Sequence, residues 1–72
     1  MSQGEFEALT ALTTPGGCRV TYHFNGPNKY GGNGWYSASL QKLQWPFTII
    51  TRATGNTEKD ALHQLIDAWM KL

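Results

Sequence analysis

The chain has little cysteine, little charge and no long apolar run. Cys18 is the one cysteine among 72 residues, so no intrachain disulfide can form and no paired-cysteine spacing indicates a metal knuckle. Charged residues make up 15% and hydrophobic residues 40%, a balance too apolar for a disordered chain. No window approaches the roughly 18 apolar residues of a membrane span, and the first residues lack the pattern of a signal peptide. We expect one small soluble domain in the cytoplasm, without membrane contact, stabilised by packing and open to homodimerisation.

The C-terminal segment carries the clearest structural pattern. From Ala61 to Leu72, apolar residues recur at spacings of three and four and form one helical stripe. Thr57 is a suitable N-cap, and Glu58 and Asp60 place negative charge at the positive end of the helix dipole. The pattern predicts a helix over residues 57–72.

Three upstream segments have the composition of β-strands. Residues 18–25 and 35–40 alternate apolar with polar side chains, and residues 47–53 are rich in β-branched types. The sequence therefore predicts an α+β fold, in which a small antiparallel meander sheet of three or four strands carries the C-terminal helix on one face. A fourth strand depends on residues 2–14, which remain open between helix and strand. Ser2 with Glu5 resembles a helix capping box, whereas the turn-like residues 13–17 favour a strand paired with the next one.

The alternation assigns each strand residue to one of two faces. The face that buries the helix is expected to carry Val20, Tyr22, Phe24, Tyr36, Ala38, Leu40, Phe47 and Ile49. The opposite face is expected to carry Arg19, Thr21, His23, Trp35, Ser37, Ser39, Thr48, Ile50 and Arg52.

Patterns that indicate catalysis or ligand binding are incomplete. The glycine-rich residues 26–34 lack the lysine of a phosphate-binding loop and precede a strand instead of a helix. Cys18 and His23 differ in strand parity and should point to opposite faces, so a nucleophile and base pair is not predicted. His63 lies three and four residues from Asp60 and Asp67, which we interpret as a solvated helix face. We expect a protein without enzymatic activity, cofactor or metal.

The charge distribution points to a binding surface. All five acidic residues lie outside 18–53, so Arg19, Lys29, Lys42 and Arg52 are unopposed in that stretch. Tryptophan, tyrosine and arginine dominate protein-protein hot spots. The expected partner is another protein with an acidic patch, and nucleic acid is the alternative partner for the same basic, aromatic face. The predicted partner-binding residues are Arg19, His23, Tyr30, Trp35, Trp45 and Arg52.

The step that opens the C-terminal helix also carries a family resemblance. Gly55-Asn56-Thr57-Glu58-Lys59-Asp60-Ala61-Leu62 follows three strands, and the arrangement resembles the β-β-β-α core of HicB-type antitoxins and of double-stranded-RNA-binding-like folds. In HicB-like domains a similar Gly-x-Thr-x-x-x-Ala-Leu step opens the helix. The DNA-binding domain of full HicB-type antitoxins and the basic helix start of double-stranded-RNA-binding domains are not seen. In general character the chain also resembles small phage or prophage accessory proteins, including inhibitors, which implies a module that occludes a host macromolecule.

Overall fold

The structure, a computed structural model, describes residues 1–26 and 34–72. Its elements in chain order are α1 (Gln3–Ala11), β1 (Cys18–Asn25), β2 (Trp35–Lys42), β3 (Ile49–Gly55) and α2 (Glu58–Met70). The strands form one antiparallel sheet in the order β1-β2-β3, and α2 packs against β2 and β3. The predicted α+β fold is confirmed, with three strands in the described part of the chain. No helix there is long and apolar enough to cross a membrane.

The N-terminal segment forms a helix, so the strand alternative for residues 2–14 is wrong. Ser2 is the N-cap of α1, and its hydroxyl oxygen accepts a hydrogen bond from the Glu5 backbone N–H at 3.3 Å. Phe6 and Thr10, one turn apart, are fully buried. The Thr10 hydroxyl is satisfied within the helix because it donates to the Phe6 carbonyl at 2.9 Å. A polar residue therefore occupies a core position without an unpaired group.

Helix α1 is attached to the outer edge of β1 through two side chains. The Glu7 carboxylate accepts a hydrogen bond from the Val20 N–H at 2.6 Å, and the Gln3 side-chain amide donates to the Val20 carbonyl at 3.1 Å. Cys18 is buried beside the same helix, with its Sγ 2.6 Å from Thr10 Oγ1. These contacts make Cys18 part of the core.

Helix α2 begins as the sequence predicts and packs closely on the end of β3. Thr57 is its N-cap, with its hydroxyl oxygen 3.0 Å from the Asp60 nitrogen that donates to it. A Cβ at Gly55 would lie 2.7 Å from Asp60 Cβ and would also collide with the Ala61 backbone nitrogen. Glycine at position 55 therefore allows the first turn of α2 to approach the sheet. The helix then buries Ala61, Leu62 and Leu65.

The first residues of β3 correct the predicted face assignment. Leu40 is paired with Thr51 and Gln41 with Ile49, so Ile50 is an extra residue in a β-bulge. Because a shift of one residue exchanges the two faces, Ile50 packs against the core, although the alternation predicted the opposite face. Ile49 and Phe47, predicted as core residues, are 45% and 52% exposed.

Candidate functional site

The sheet has one face covered by the helices and one face on which no helix of the described residues lies, and we call the second the open face. Val20, Ala38 and Leu40 are buried on the covered face, so the residues between them in β1 and β2 point to the open face. The pairing register then places two rows of directly opposed residues across the open face. One row consists of His23, Ser37 and Thr54, and the other consists of Thr21, Ser39 and Arg52.

A groove of about 610 Å³ lies on the open face. Its shape follows from side-chain size, because the small residues Ser37 and Ser39 of β2 lie between His23 on β1 and Arg52 on β3. Trp35, 45% exposed, forms one end. The lining residues are His23, Asn25, Trp35, Ser37, Ser39, Arg52 and Thr54. The groove thus combines a guanidinium, an imidazole, an indole and several hydroxyl groups.

The β1 side of the groove is fixed by hydrogen bonds to one carbonyl. The Ser37 hydroxyl donates to the His23 carbonyl across the strands at 3.4 Å, and the Asn25 side-chain amide donates to the same oxygen at 3.5 Å. These contacts link the His23 backbone to β2 and to the end of β1. The imidazole of His23 itself is exposed.

The charged strand residues on the open face are basic, because the acidic residues belong to the helices. Glu5 and Glu7 lie in α1, and Glu58, Asp60 and Asp67 lie in α2, whereas Arg19 and Arg52 lie on the open face. Arg52 is exposed, as an interacting guanidinium must be. An anionic ligand on this face would meet no carboxylate from the strands.

The structure brings together half of the predicted partner-binding residues. His23, Trp35 and Arg52 line the groove. Arg19 lies on the same face, outside the groove lining. Trp35 begins β2, and Trp45 lies beyond the other end of the strand. The length of β2 therefore separates the two residues by about 20 Å or more.

The remaining prediction, Tyr30, lies outside the described residues. Strand alternation predicted the correct face for Ser37 and Ser39, but neither was among the predicted partner-binding residues. The sequence did indicate a groove here, because small residues flanked by large ones on the neighbouring strands leave a depression in the surface of the sheet. Thr54 was missed because the predicted strand ended at residue 53, whereas β3 continues to Gly55.

A second exposed surface is the connection between β2 and β3, which we call the apolar tip. It comprises Leu43, Trp45 and Phe47, which are 44%, 80% and 52% exposed. The Phe47 N–H donates to the Gln44 carbonyl at 2.9 Å, and the Gln41 side-chain amide donates to the Phe47 carbonyl at 2.9 Å. The tip is therefore tied back onto β2 while its apolar side chains remain accessible.

The other chemical candidates are not assembled into a site. Cys18 is buried on the covered face and His23 is exposed on the open face, as strand parity predicted. Among residues 1–26 and 34–72, no three His, Cys, Asp or Glu side chains form a group that could hold a metal ion. A second concavity, of about 390 Å³, lies between the N-terminus and α2 and includes His63 and Asp67.

Among the described residues, Tyr22 is the titratable group whose environment changes its pKa. Its side chain lies on the covered face and packs against the core. Burial raises the pKa of Tyr22 above its ordinary value of 10.0, and the negative charges of Glu58 and Glu7 raise it further. Its phenol is therefore protonated and neutral at physiological pH.

The sequence matches no family model, no curated protein and no solved structure. The resemblance to HicB-type antitoxins and to phage accessory proteins stays a prediction.

Proposed function

We propose that this chain is a non-enzymatic interaction module that binds an acidic segment of a partner protein on its open face. The observation that carries the proposal is the groove in which Arg52, His23 and Trp35 surround the serines of β2. Arginine binds carboxylates through parallel hydrogen bonds, and the exposed indole supplies apolar contact area. The serine and threonine hydroxyls donate to or accept from a peptide backbone.

The resemblance suggests what such binding achieves. A small module that covers an acidic segment of a larger protein prevents other molecules from reaching that segment. This is the occluding role expected of an accessory or inhibitor protein. Binding energy in such complexes is concentrated in a few tryptophan, tyrosine and arginine residues. Trp35 and Arg52 are the residues of this kind in the groove.

Comparative affinity capture tests the proposal. The wild-type protein and the variants Trp35→Ala, Arg52→Ala and Arg19→Ala are immobilised, exposed to lysate of the source organism with and without nuclease, and the captured proteins are quantified by mass spectrometry. We expect a discrete protein to be recovered with wild type and with Arg19→Ala in both conditions. Recovery should fall at least about tenfold with either groove variant, since each removes a hot-spot side chain.

The Arg19→Ala variant is the matched control because it removes a positive charge from the same face without altering the groove lining. Thermal unfolding of all variants shows whether they are folded, and Trp35→Ala and Arg52→Ala should unfold close to the wild type. Equal capture by all four proteins would contradict the assignment of the groove. Unfolding of both groove variants would instead assign these residues to the core.

Nucleic acid is the second candidate partner. The favourable observation is Trp35, exposed on a sheet face beside Arg52 and His23, since bases stack on such aromatic side chains. A mobility assay with generic single-stranded DNA and RNA over a salt series separates the two candidates. Steep weakening with salt would favour nucleic acid. Absence of binding at low salt would exclude it.

A further inference from the structure

The hydrogen bonds of Val20 determine which backbone groups of the sheet face outward. Val20 gives its N–H to Glu7 and receives a bond at its carbonyl from Gln3, so both groups point away from β2. In antiparallel sheets the direction alternates from residue to residue and is preserved across paired strands. Leu40, which is paired with Val20, therefore directs its backbone groups toward Thr51 of β3.

The same alternation leaves part of the β3 edge available for pairing. Thr51 and Ala53 bond to β2, so the N–H and C=O groups of Arg52 and Thr54 point outward. Within the described residues, no backbone or side-chain group is hydrogen-bonded to them. Unpaired edge groups of this kind are a template for an additional strand.

The two edges of the sheet differ in how they are covered. On β1, side chains of α1 occupy the outward groups of Val20, whereas no described group bonds to those of Tyr22 and Phe24. On β3, the outward groups are those of Arg52 and Thr54, two exposed residues that follow the β-bulge. The β3 edge also borders the groove, because both of these residues line it. An extended segment on this edge would therefore reach the groove directly.

We propose that the acidic partner segment binds in an extended conformation as a fourth strand along β3, with an acidic side chain beside Arg52. The inference rests on the proposed function and adds the conformation of the partner and its register. Charge complementarity sets the register, since Arg52 projects on the open face at the edge and the strands contribute no carboxylate there. Backbone hydrogen bonds to Arg52 and Thr54 supply the pairing.

The pairing on the inner side of β3 indicates a second feature of the partner. Ser39 and Gln41 of β2, two residues apart, are opposed to Arg52 and Ile49. A partner strand that paired with the free edge of β3 in the register that β2 uses on the other edge would place its acidic residue beside Arg52. Its next residue on the open face would lie beside Ile49, which is 45% exposed and adjoins the apolar tip. The expected partner motif is therefore an acidic and an apolar residue separated by one position.

Selection of random nine-residue peptides displayed on phage, against the immobilised folded protein, tests this inference. The enriched peptides should contain an acidic residue with an apolar residue two positions away. A synthetic copy of an enriched peptide is then compared with its acid-to-amide analogue and with analogues N-methylated at single positions. We expect the amide analogue to bind at least about tenfold more weakly. N-methylation should weaken binding at alternate positions only, because every second N–H of an added strand faces β3.

Amide hydrogen exchange of the protein gives a second readout that needs no substitution. Peptide binding should slow exchange at the Arg52 and Thr54 amides at least about tenfold and leave Tyr22 and Phe24, on the other edge, unchanged. Peptides that bind more weakly as the amide analogue but tolerate N-methylation at every position would overturn strand addition while the proposed function stands. Failure to enrich acidic peptides would overturn both.

Discussion

The two faces of the sheet are built from the same three strands and differ in almost every property. On the covered face, Val20, Ala38 and Leu40 are buried against the helices. On the open face, their immediate neighbours are polar or basic, and the middle strand presents the small residues Ser37 and Ser39. Successive residues of one strand therefore contribute in turn to the buried core and to the exposed surface.

This difference separates stability from recognition within a chain of 72 residues. Burial of apolar side chains supplies most of the folding free energy, and it comes from the covered face. Substitutions of exposed residues usually change stability by less than about 0.5 kcal/mol. The open face can therefore vary with its binding partner without loss of the fold. The following substitutions test how strictly the two tasks are separated.

The largest contrast is expected between two adjacent residues of β2. Leu40→Ala should lower the free energy of unfolding by about 2–5 kcal/mol, since Leu40 is fully buried and its truncation leaves a cavity. Ser39→Ala, one position earlier on the open face, should change it by less than about 0.5 kcal/mol. Urea denaturation followed by tryptophan fluorescence measures both. Comparable losses in the two variants would contradict the division of the sheet into two faces.

The second contrast concerns the attachment of α1 to β1. Glu7→Ala removes the acceptor of the Val20 N–H and should cost about 1.5–3 kcal/mol, the range of hydrogen bonds to charged groups. Glu5→Ala, in the same helix, should cost less than about 1 kcal/mol, because it loses only an interaction with the helix dipole. Hydrogen exchange at the Val20 amide should accelerate in the first variant alone. Unchanged exchange there would show that α1 is held by other contacts.

A third contrast uses two glycines with opposite surroundings. Gly55→Ala should destabilise the protein by about 1–3 kcal/mol, because its Cβ would collide with the first turn of α2. Gly4→Ala in α1 should stabilise it by up to about 1 kcal/mol, since nothing lies within 4 Å of the added Cβ and alanine favours helices. Thermal unfolding of both variants shows whether each substitution raises or lowers the stability. A neutral Gly55→Ala variant would mean that α2 approaches β3 less closely.

Local chemistry made much of the covered face predictable. The alternation in residues 18–25 gave the bounds of β1, and the cap at Thr57 gave the start of α2, because both signals lie within a few neighbouring residues. The bulge at Ile50 was not predictable, since Ile49 and Ile50 are both apolar and the pattern does not show which of them faces the core. One inserted residue exchanged their environments.

The remaining differences arise from tertiary contacts. In the N-terminal segment Phe6, Leu9 and Leu12 have the spacing of a helical stripe, yet Leu9 and Leu12 are 49% and 84% exposed, and Thr10 is buried. Thr10 is acceptable in the core only because its hydroxyl bonds to the preceding turn and contacts Cys18. In the candidate site, strand parity placed His23, Trp35 and Arg52 on one face. Their assembly into a groove depends on the pairing register, which local patterns do not specify.

The smallest effect is expected at alkaline pH and concerns Tyr22, on the covered face. Its raised pKa means that the folded protein holds the phenol proton more tightly than the unfolded chain does. The resulting stabilisation is present below the unfolded pKa of about 10 and is lost as the pH rises through the folded value. The free energy of unfolding, measured by urea denaturation, should therefore fall less for Tyr22→Phe than for wild type between about pH 8 and pH 11. If both proteins lost the same amount, ionisation of Tyr22 would not be coupled to folding, and neither its burial nor the Glu58 and Glu7 carboxylates would raise its pKa.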